Sequence, residues 1–325
     1  MQALLERLAP ILRVTRVAMA FAAVANAWFV VLWTRAFEQE PGHAALSEAP
    51  LWLCLVGVTA NALGLFSFGM ALNDILDLRR DRLLNPGRPL PTGSLTVGAT
   101  ITLVSWSLMV AVLGATVCGT PSVLLTLLLA GMILVFNGAA RFVPGFGLVA
   151  YGVIYAGAML IPDPRLAFLW PVWLVLAHTI VTGSLVYALA RKTPSVSRRA
   201  WGAVAVGGVF WTITLGALIW KRSGSLWPGW APPTAAIGPL VVLTLMALTM
   251  WRKARFAGPS PRVAEKFERY STLAMSFLGG AWMLGVGLTA QAITLLSLSV
   301  AGYLGMTILR EFYGLLEHPV GYRRS

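Results

Sequence analysis

Charged residues are scarce in this sequence. Only 11% of its 325 residues are Asp, Glu, Lys or Arg, whereas 58% are hydrophobic. Soluble globular proteins carry about 25% charged residues, so this chain has too few to cover a soluble surface. The high apolar content also excludes an intrinsically disordered chain. The composition therefore predicts a polytopic membrane protein in which residues 1–325 form one helical bundle and a single domain.

Cysteine and histidine are also rare, with two and three residues respectively. Cys54 and Cys118 lie inside apolar runs, without a C-x-x-C spacing or a neighbouring histidine. This pattern is typical of buried packing residues, and it argues against a disulfide framework or a zinc site.

Ten apolar stretches approach the roughly 20 residues that a spanning helix needs. Several of them are short, notably 146–160, and the last two are barely separated, so we predict nine or ten spanning helices. The predicted spans are 11–33, 51–72, 95–117, 121–137, 146–160, 168–189, 201–220, 236–251, 270–290 and 292–312.

The basic residues predict how these spans are oriented. With the N-terminus in the cytoplasm and ten alternating spans, 21 of the 25 Lys and Arg residues lie inside and 4 lie outside. The positive-inside rule predicts such a partition, and the chain is therefore expected to be a multi-pass protein of the bacterial inner membrane. The same rule accounts for the net charge of +13 without a nucleic-acid partner. Five tryptophans, Trp33, Trp52, Trp220, Trp227 and Trp230, fall near the outer ends, where an aromatic belt is expected.

The most informative feature is an acidic motif. The chain has four Asp residues, and three of them, Asp74, Asp77 and Asp81, lie within eight positions. On a continuous helix this spacing places all three on one face, with Asn73 beside Asp77. The usual way to offset such repulsion is a divalent cation such as Mg²⁺, which joins carboxylates to substrate phosphates. The alternative is a solvated helix end paired with neighbouring arginines, although carboxylates at a membrane edge are costly.

The residues after this motif carry a resemblance to a known family. Asn73, Asp74, Asp77 and Asp81 are followed by N-P-G-R-P-L-P-T-G at 85–93. Together they resemble the first signature of the UbiA superfamily of intramembrane prenyltransferases. Two further segments agree, since 12–16 is similar to the family's opening segment and 141–145 to the basic turn between its fourth and fifth helices. The resemblance covers most of the chain, and the family's nine helices agree with the predicted number.

The resemblance implies an all-α, UbiA-like transmembrane bundle with a lipid-open cavity for a polyprenyl diphosphate. It implies that Asn73, Asp74, Asp77 and Asp81 hold Mg²⁺, with the three carboxylates as the catalytic residues. Arg88 would help to hold the phosphates, because cations neutralise the charge that develops on the leaving group. Ionisation would leave an allylic carbocation, which a small lipophilic and often aromatic acceptor attacks within the membrane lipid.

The second acidic motif of the family, after its sixth helix, is missing here. The corresponding segment, 182–194, has no carboxylate, and Asp163 is the only acid between positions 82 and 264. Two interpretations stay open. In the first, Arg191 and Lys192 replace a second metal and hold the diphosphate directly. In the second, ionisation is lost and the protein binds or handles an isoprenoid lipid without transferring it. A divergent branch, such as the UbiA-like member in bacterial Ebo gene clusters, fits this departure.

Three further residues are candidates for the substrate site. His178 lies mid-span, where an ionisable side chain is a functional candidate, but a neutral histidine bonded to a neighbouring helix explains it as well. Tyr187 shares a helix face with Arg191 at the cytoplasmic mouth, where it is placed to orient a phosphate or the acceptor. Arg141 follows Asn137 by one turn and is predicted to join the phosphate site. An ion-coupled transporter is a weaker third class, because the predicted spans have no carboxylate near the midplane.

Overall fold

The computed structural model describes residues 2–190 and 195–317. Within these residues the secondary structure is helical and contains no β-strand, which confirms the predicted all-α class. The α-helices are α1 Gln2–Thr15, α2 Phe21–Ala36, α3 His43–Glu48, α4 Leu51–Leu76, α5 Leu78–Leu84, α6 Pro89–Thr92, α7 Val97–Thr116, α8 Thr120–Gly138, α9 Pro144–Met159, α10 Trp170–Leu189, α11 Arg198–Ser223, α12 Ile237–Ala257, α13 Pro261–Gly285 and α14 Thr289–Glu317.

Seven helices in the described part of the chain are long and apolar enough to cross a membrane. They are α4, α7, α8, α10, α11, α12 and α14. Two more helices, α2 and α9, are apolar but have only 16 residues each. The remaining predicted span falls on α13, whose first turns are polar. The structure therefore has the multi-pass character that the sequence predicts, while the count of nine or ten spans stays a prediction.

The first predicted span, 11–33, is wrong at its start. The helix α1 ends at Thr15, and Arg16 has a left-handed backbone with φ of 47°. A short 3-10 helix, Val17–Met19, then leads into α2. Hydropathy does not detect this bend because the apolar run continues through it. The bend places the Arg16 guanidinium 3.5 Å from the Asp74 carboxylate.

Small residues allow the helices to pack closely. A Cβ atom on Gly64 of α4 would lie 2.6 Å from the Ser107 carbonyl oxygen of α7, and one on Gly114 of α7 would overlap the backbone of Gly57. Such positions let two backbones approach each other within a membrane, where dispersion and close packing drive helix association. The pair α4 and α7 forms one flank of the bundle.

The bundle closes on itself where α2 meets α13 and α14. The helix α2 contacts α4 on one side and α13 and α14 on the other. Gly302 of α14 leaves room for the Phe21 ring, and Ser299 Oγ donates a 3.0 Å hydrogen bond to the Ser276 carbonyl of α13. The helices α9 and α10 complete the wall between α8 and α13.

Two buried acidic side chains hold one end of the bundle together through hydrogen bonds. Glu40 accepts hydrogen bonds from Trp33 Nε1 at 3.0 Å and from the Ala167 and Phe168 backbone N–H groups at 2.6 and 3.2 Å. Asp163 accepts one from Thr34 Oγ1 at 3.1 Å. Burial raises the pKa of both the Glu40 and the Asp163 carboxyl above its ordinary value. These acids are far from the acidic motif, as the predicted topology requires for Asp163.

The prediction that Trp33 belongs to an aromatic belt is wrong. Trp52 and Trp220 are 66% and 60% exposed, as belt residues should be. Trp33 is instead fully buried and stacks on Phe168 with ring centroids 4.8 Å apart. Its indole N–H has the Glu40 carboxylate as a partner, which a buried tryptophan requires. Position near a helix end is therefore not sufficient to identify a residue that faces lipid.

Candidate active site

A cavity of about 600 Å³ opens at the end of the bundle where α4, α8 and α10 end. Its mouth is polar and its interior is apolar and aromatic. The charged and polar residues at the mouth include Asn73, Asp77, Arg80, Arg141, Tyr187 and Glu268. The interior is lined by residues such as Ala22, Phe66, Phe136, Leu148, Tyr151 and Tyr155. This division suits a ligand with a charged head and a hydrocarbon tail.

A smaller, mostly apolar chamber of about 90 Å³ adjoins the interior. Phe66, Phe136 and Tyr155 line both spaces. Tyr151 stacks on Phe136 with centroids 5.8 Å apart, and its hydroxyl donates to the Tyr155 hydroxyl at 3.4 Å. The aromatic rings therefore form the boundary between the wide mouth and the narrow end.

Asp77 and Arg141 form a bidentate ion pair at the mouth. Asp77 lies at the break between α4 and α5. Arg141 Nη1 and Nη2 donate to its two carboxylate oxygens at 2.9 and 2.5 Å. Arg141 Nη1 also donates to Asn73 Oδ1. The side chains of Arg141 and Asp77 are only 16% and 13% exposed, so this contact is shielded from water.

The chemistry of these atoms fits one Mg²⁺ ion and a phosphate. The oxygens of Asn73 and Asp77 are ligands that Mg²⁺ prefers, and they converge on one cationic group, the Arg141 guanidinium. Arg141 Nε is buried without a hydrogen-bond partner, which leaves a donor for a phosphate oxygen. Among the described residues, no group of three or more His, Cys, Asp or Glu is arranged to hold a metal.

Asp74 and Asp81 form a second cluster, separate from the cavity lining. Arg88 Nη1 donates to Asp81 Oδ2 at 2.6 Å and lies 3.4 Å from Asp74 Oδ1. Asn85 Nδ2 donates to the other Asp81 oxygen at 2.9 Å. The side chains of Asp74 and Asp81 are 5% and 4% exposed. The structure thus divides the predicted metal motif, because Arg88 pairs with Asp74 and Asp81, with Arg16 also near Asp74, whereas Arg141 pairs with Asp77.

The other predicted residues differ in their placement. Tyr187 lines the cavity mouth. His178 is buried and does not line the cavity; its Nε2 lies 2.9 Å from Ser271 Oγ, which joins α10 to α13 and favours the structural interpretation. Arg191 and Lys192 lie outside the described residues.

Two charged residues at the cavity mouth were not identified as site residues from the sequence. Arg80 was interpreted only as a partner of the acidic motif, and Glu268 only as a surface charge. The available signal was the spacing of Glu268, Ser271, Thr272 and Met275, which places them on one face of α13. All four line the cavity, so Glu268 brings a carboxylate to the mouth from the helix opposite Asp77.

Comparison with known proteins identifies the fold. A structure of digeranylgeranylglyceryl phosphate synthase in membranes is 14% identical, with a TM-score of 0.52, and the match covers 86% of this chain and 99% of that one. A UbiA homologue from Archaeoglobus fulgidus bound to GPP and Mg²⁺ is 15% identical, with a TM-score of 0.50, over 86% of this chain and 99% of its own. The chain has the UbiA fold.

A further structure of the A. fulgidus UbiA homologue, bound to DMAPP and Mg²⁺, matches at 15% identity and a TM-score of 0.50. The match covers 85% of this chain and 99% of the homologue. No family model and no curated protein matches the sequence. The structural comparisons therefore confirm the UbiA fold that the resemblance implies.

Proposed function

We propose that this protein is a Mg²⁺-dependent prenyltransferase that acts within the membrane. It moves a prenyl group from a polyprenyl diphosphate to a small lipophilic, often aromatic, acceptor. The observation that carries this proposal is the convergence of Asn73, Asp77 and Arg141 at the polar mouth of an otherwise apolar cavity. The A. fulgidus UbiA homologue, which has the same fold, is bound to a prenyl diphosphate and Mg²⁺, and this supports the substrate class.

In this proposal the charges at the mouth bind the diphosphate. When bound, Mg²⁺ neutralises the negative charge that develops on the leaving diphosphate. Arg141 turns from Asp77 to the phosphate oxygens, and Arg80 and Tyr187 contact the diphosphate from either side. Asp74 and Asp81 fix Arg88 beside the motif, and the segment with Arg191 and Lys192 adds positive charge where the family has its second acidic motif.

The interior of the cavity then protects the reactive prenyl group. The bond between the allylic carbon and the diphosphate oxygen breaks, and its electron pair leaves with the diphosphate. The faces of Phe136, Tyr151 and Tyr155 stabilise the allylic cation electrostatically. The acceptor forms the new bond, and Glu268 at the mouth takes the proton that an aromatic acceptor loses.

Gly183→Leu tests whether the cavity binds the prenyl chain. A Cβ atom at Gly183 would lie 3.4 Å from Leu148 Cδ2, an ordinary contact, so the longer side chain extends into the cavity. We expect the affinity for GPP with Mg²⁺ to fall about tenfold, with a matching loss of diphosphate release. The control is Gly208→Leu on α11, where a Cβ would meet no atom within 4 Å.

The outcomes of this test distinguish the two functional classes. Equal GPP affinity in Gly183→Leu and Gly208→Leu would exclude the cavity as the binding site of the prenyl chain. If the wild type binds GPP and Gly183→Leu weakens that binding, but no acceptor supports release of diphosphate, the protein is a non-catalytic isoprenoid-binding protein on the same fold. The missing second acidic motif is the observation that favours this alternative.

The orientation of the site is proposed from the charge partition. We infer that the N-terminus and the cavity mouth face the cytoplasm of a bacterial inner membrane, because the basic loops gather at that end. A reporter fused after Arg199 should read cytoplasmic, and one fused after Trp227 should read periplasmic. A periplasmic signal at Arg199 would contradict the orientation.

A further inference from the structure

A second apolar space lies on the outside of the bundle. It is a groove of about 770 Å³ between α12 and α13, with Leu296 of α14 at its side. It shares no lining residue with the active-site cavity. Aliphatic side chains such as Val242, Leu245 and Leu273 dominate its lining, so the groove offers no chemistry for a polar ligand along most of its length.

One end of the groove carries a cation. Tyr270 belongs to the lining, and its hydroxyl accepts a 2.7 Å hydrogen bond from Lys253 Nζ. The ammonium also lies 4.1 Å from the centroid of the same ring. Lys253 has no ion pair with a carboxylate among the residues that the structure describes, so its charge is not neutralised there.

The sequence around this end adds further positive charge. Residues 252–269 contain six Lys and Arg residues and two Glu residues. Lys266 precedes Tyr270 by one helical turn and so lies on the same stripe of α13. Lys253 likewise follows Thr249, a lining residue of α12, by one turn. Both helices therefore continue from apolar lining to a lysine at the same end of the groove.

We propose that this groove binds one anionic phospholipid, with an acyl chain along α12 and α13 and its phosphate at Lys253. The ammonium of Lys253 keeps two further donors, and the Tyr270 hydroxyl keeps its own hydrogen for a phosphate oxygen. Basic pockets between spanning helices are suited to anionic lipid headgroups. A second copy of this chain is a poorer occupant, because a two-fold contact through this groove would bring its cationic ends against each other.

Native mass spectrometry of the full chain tests the proposal with phosphatidylglycerol and phosphatidylcholine as probes. We expect one phosphatidylglycerol to be retained in preference to phosphatidylcholine. Lys253→Gln should weaken its retention about fivefold, since one basic residue near an anionic surface contributes on that scale. Lys221→Gln on α11 is the matched control, because this exposed lysine lies at the opposite end of the bundle; it should have no effect.

A second pair of variants tests the groove independently of charge. Val242→Trp should fill the groove and displace the lipid, whereas Leu248→Trp, at an exposed position of the same helix outside the lining, should retain it. Equal retention of the two lipids, or equal retention in Lys253→Gln and Lys221→Gln, would overturn the proposal. A dimer that forms in wild type and is lost only in Val242→Trp would also overturn it, and would assign the groove to a second copy of the chain.

Discussion

Replacing Asp77 by Asn should abolish Mg²⁺-dependent binding of a prenyl diphosphate and reduce turnover by at least about 100-fold. The substitution removes one negative charge and one of the two oxygens that face Arg141. A hard cation held by few protein ligands depends on the carboxylate charge, and losing the interactions that offset leaving-group charge costs several kcal/mol. The measurement is GPP affinity as a function of Mg²⁺ concentration, followed by diphosphate release.

Three features of that titration make the result specific. Residual Mg²⁺-independent affinity should persist in Asp77→Asn, since Arg141 is then released for the phosphate. The wild type should depend on Mg²⁺ to first order, because Asn73 and Asp77 are the one pair of oxygen ligands that contacts Arg141 in the part of the chain that the structure describes. Glu38→Gln changes an exposed acid and serves as the charge-matched control. If Mg²⁺-dependent binding is unaltered in Asp77→Asn, the Asp77–Arg141 contact is a structural ion pair and Asp77 does not hold Mg²⁺.

Removal of the Arg88 side chain should destabilise the protein by about 2–4 kcal/mol. Asp74 and Asp81 would keep their burial but lose the guanidinium that contacts both of them. Removing one partner of a buried ion pair typically costs about 3–5 kcal/mol. The loss is smaller here because Asp74 keeps Arg16 as a partner and the Arg88 side chain is 33% exposed. Thermal unfolding of Arg88→Ala in detergent measures this loss.

The control for Arg88 is the exposed Arg82 of the same segment. Arg82→Ala should change stability by no more than about 0.5 kcal/mol, and Arg88→Lys should recover part of the loss. If Arg88→Ala is instead as stable as Arg82→Ala but fails to bind GPP, Arg88 is a phosphate ligand, as the family resemblance implies.

The sequence was sufficient for the fold class because hydropathy and charge report directly on a membrane bundle. Runs of about 20 apolar residues have few alternatives in a chain with so little charge. The bend at Arg16 was missed for a different reason. It depends on a left-handed residue and on an ion pair with Asp74, and neither changes the local hydropathy.

Some residues of the candidate site carry similar local signals in the sequence. Asp77 and Arg141 carry local signals, since each lies in a short polar segment between apolar runs. The division of Asp74 and Asp81 from Asp77 has no such signal, because it is decided by which arginine reaches each carboxylate in three dimensions. Glu268 was missed because Asp77, which lines the same cavity, lies 191 residues earlier in the chain (268 − 77).

The contact between α2 and the pair α13 and α14 also constrains how this protein is made. The ribosome delivers α2 well before α13 and α14, so the wall of the cavity stays incomplete until these two later helices have entered the membrane. Until then the face of α2 that carries Phe21 and Phe29 lies against lipid, because its packing partners Gly302 and Gly279 belong to the two helices that have not yet been inserted. Insertion of single helices and assembly of the site are therefore separate events in biogenesis, and a chain that lacks its last two helices would span the bilayer without forming a closed cavity.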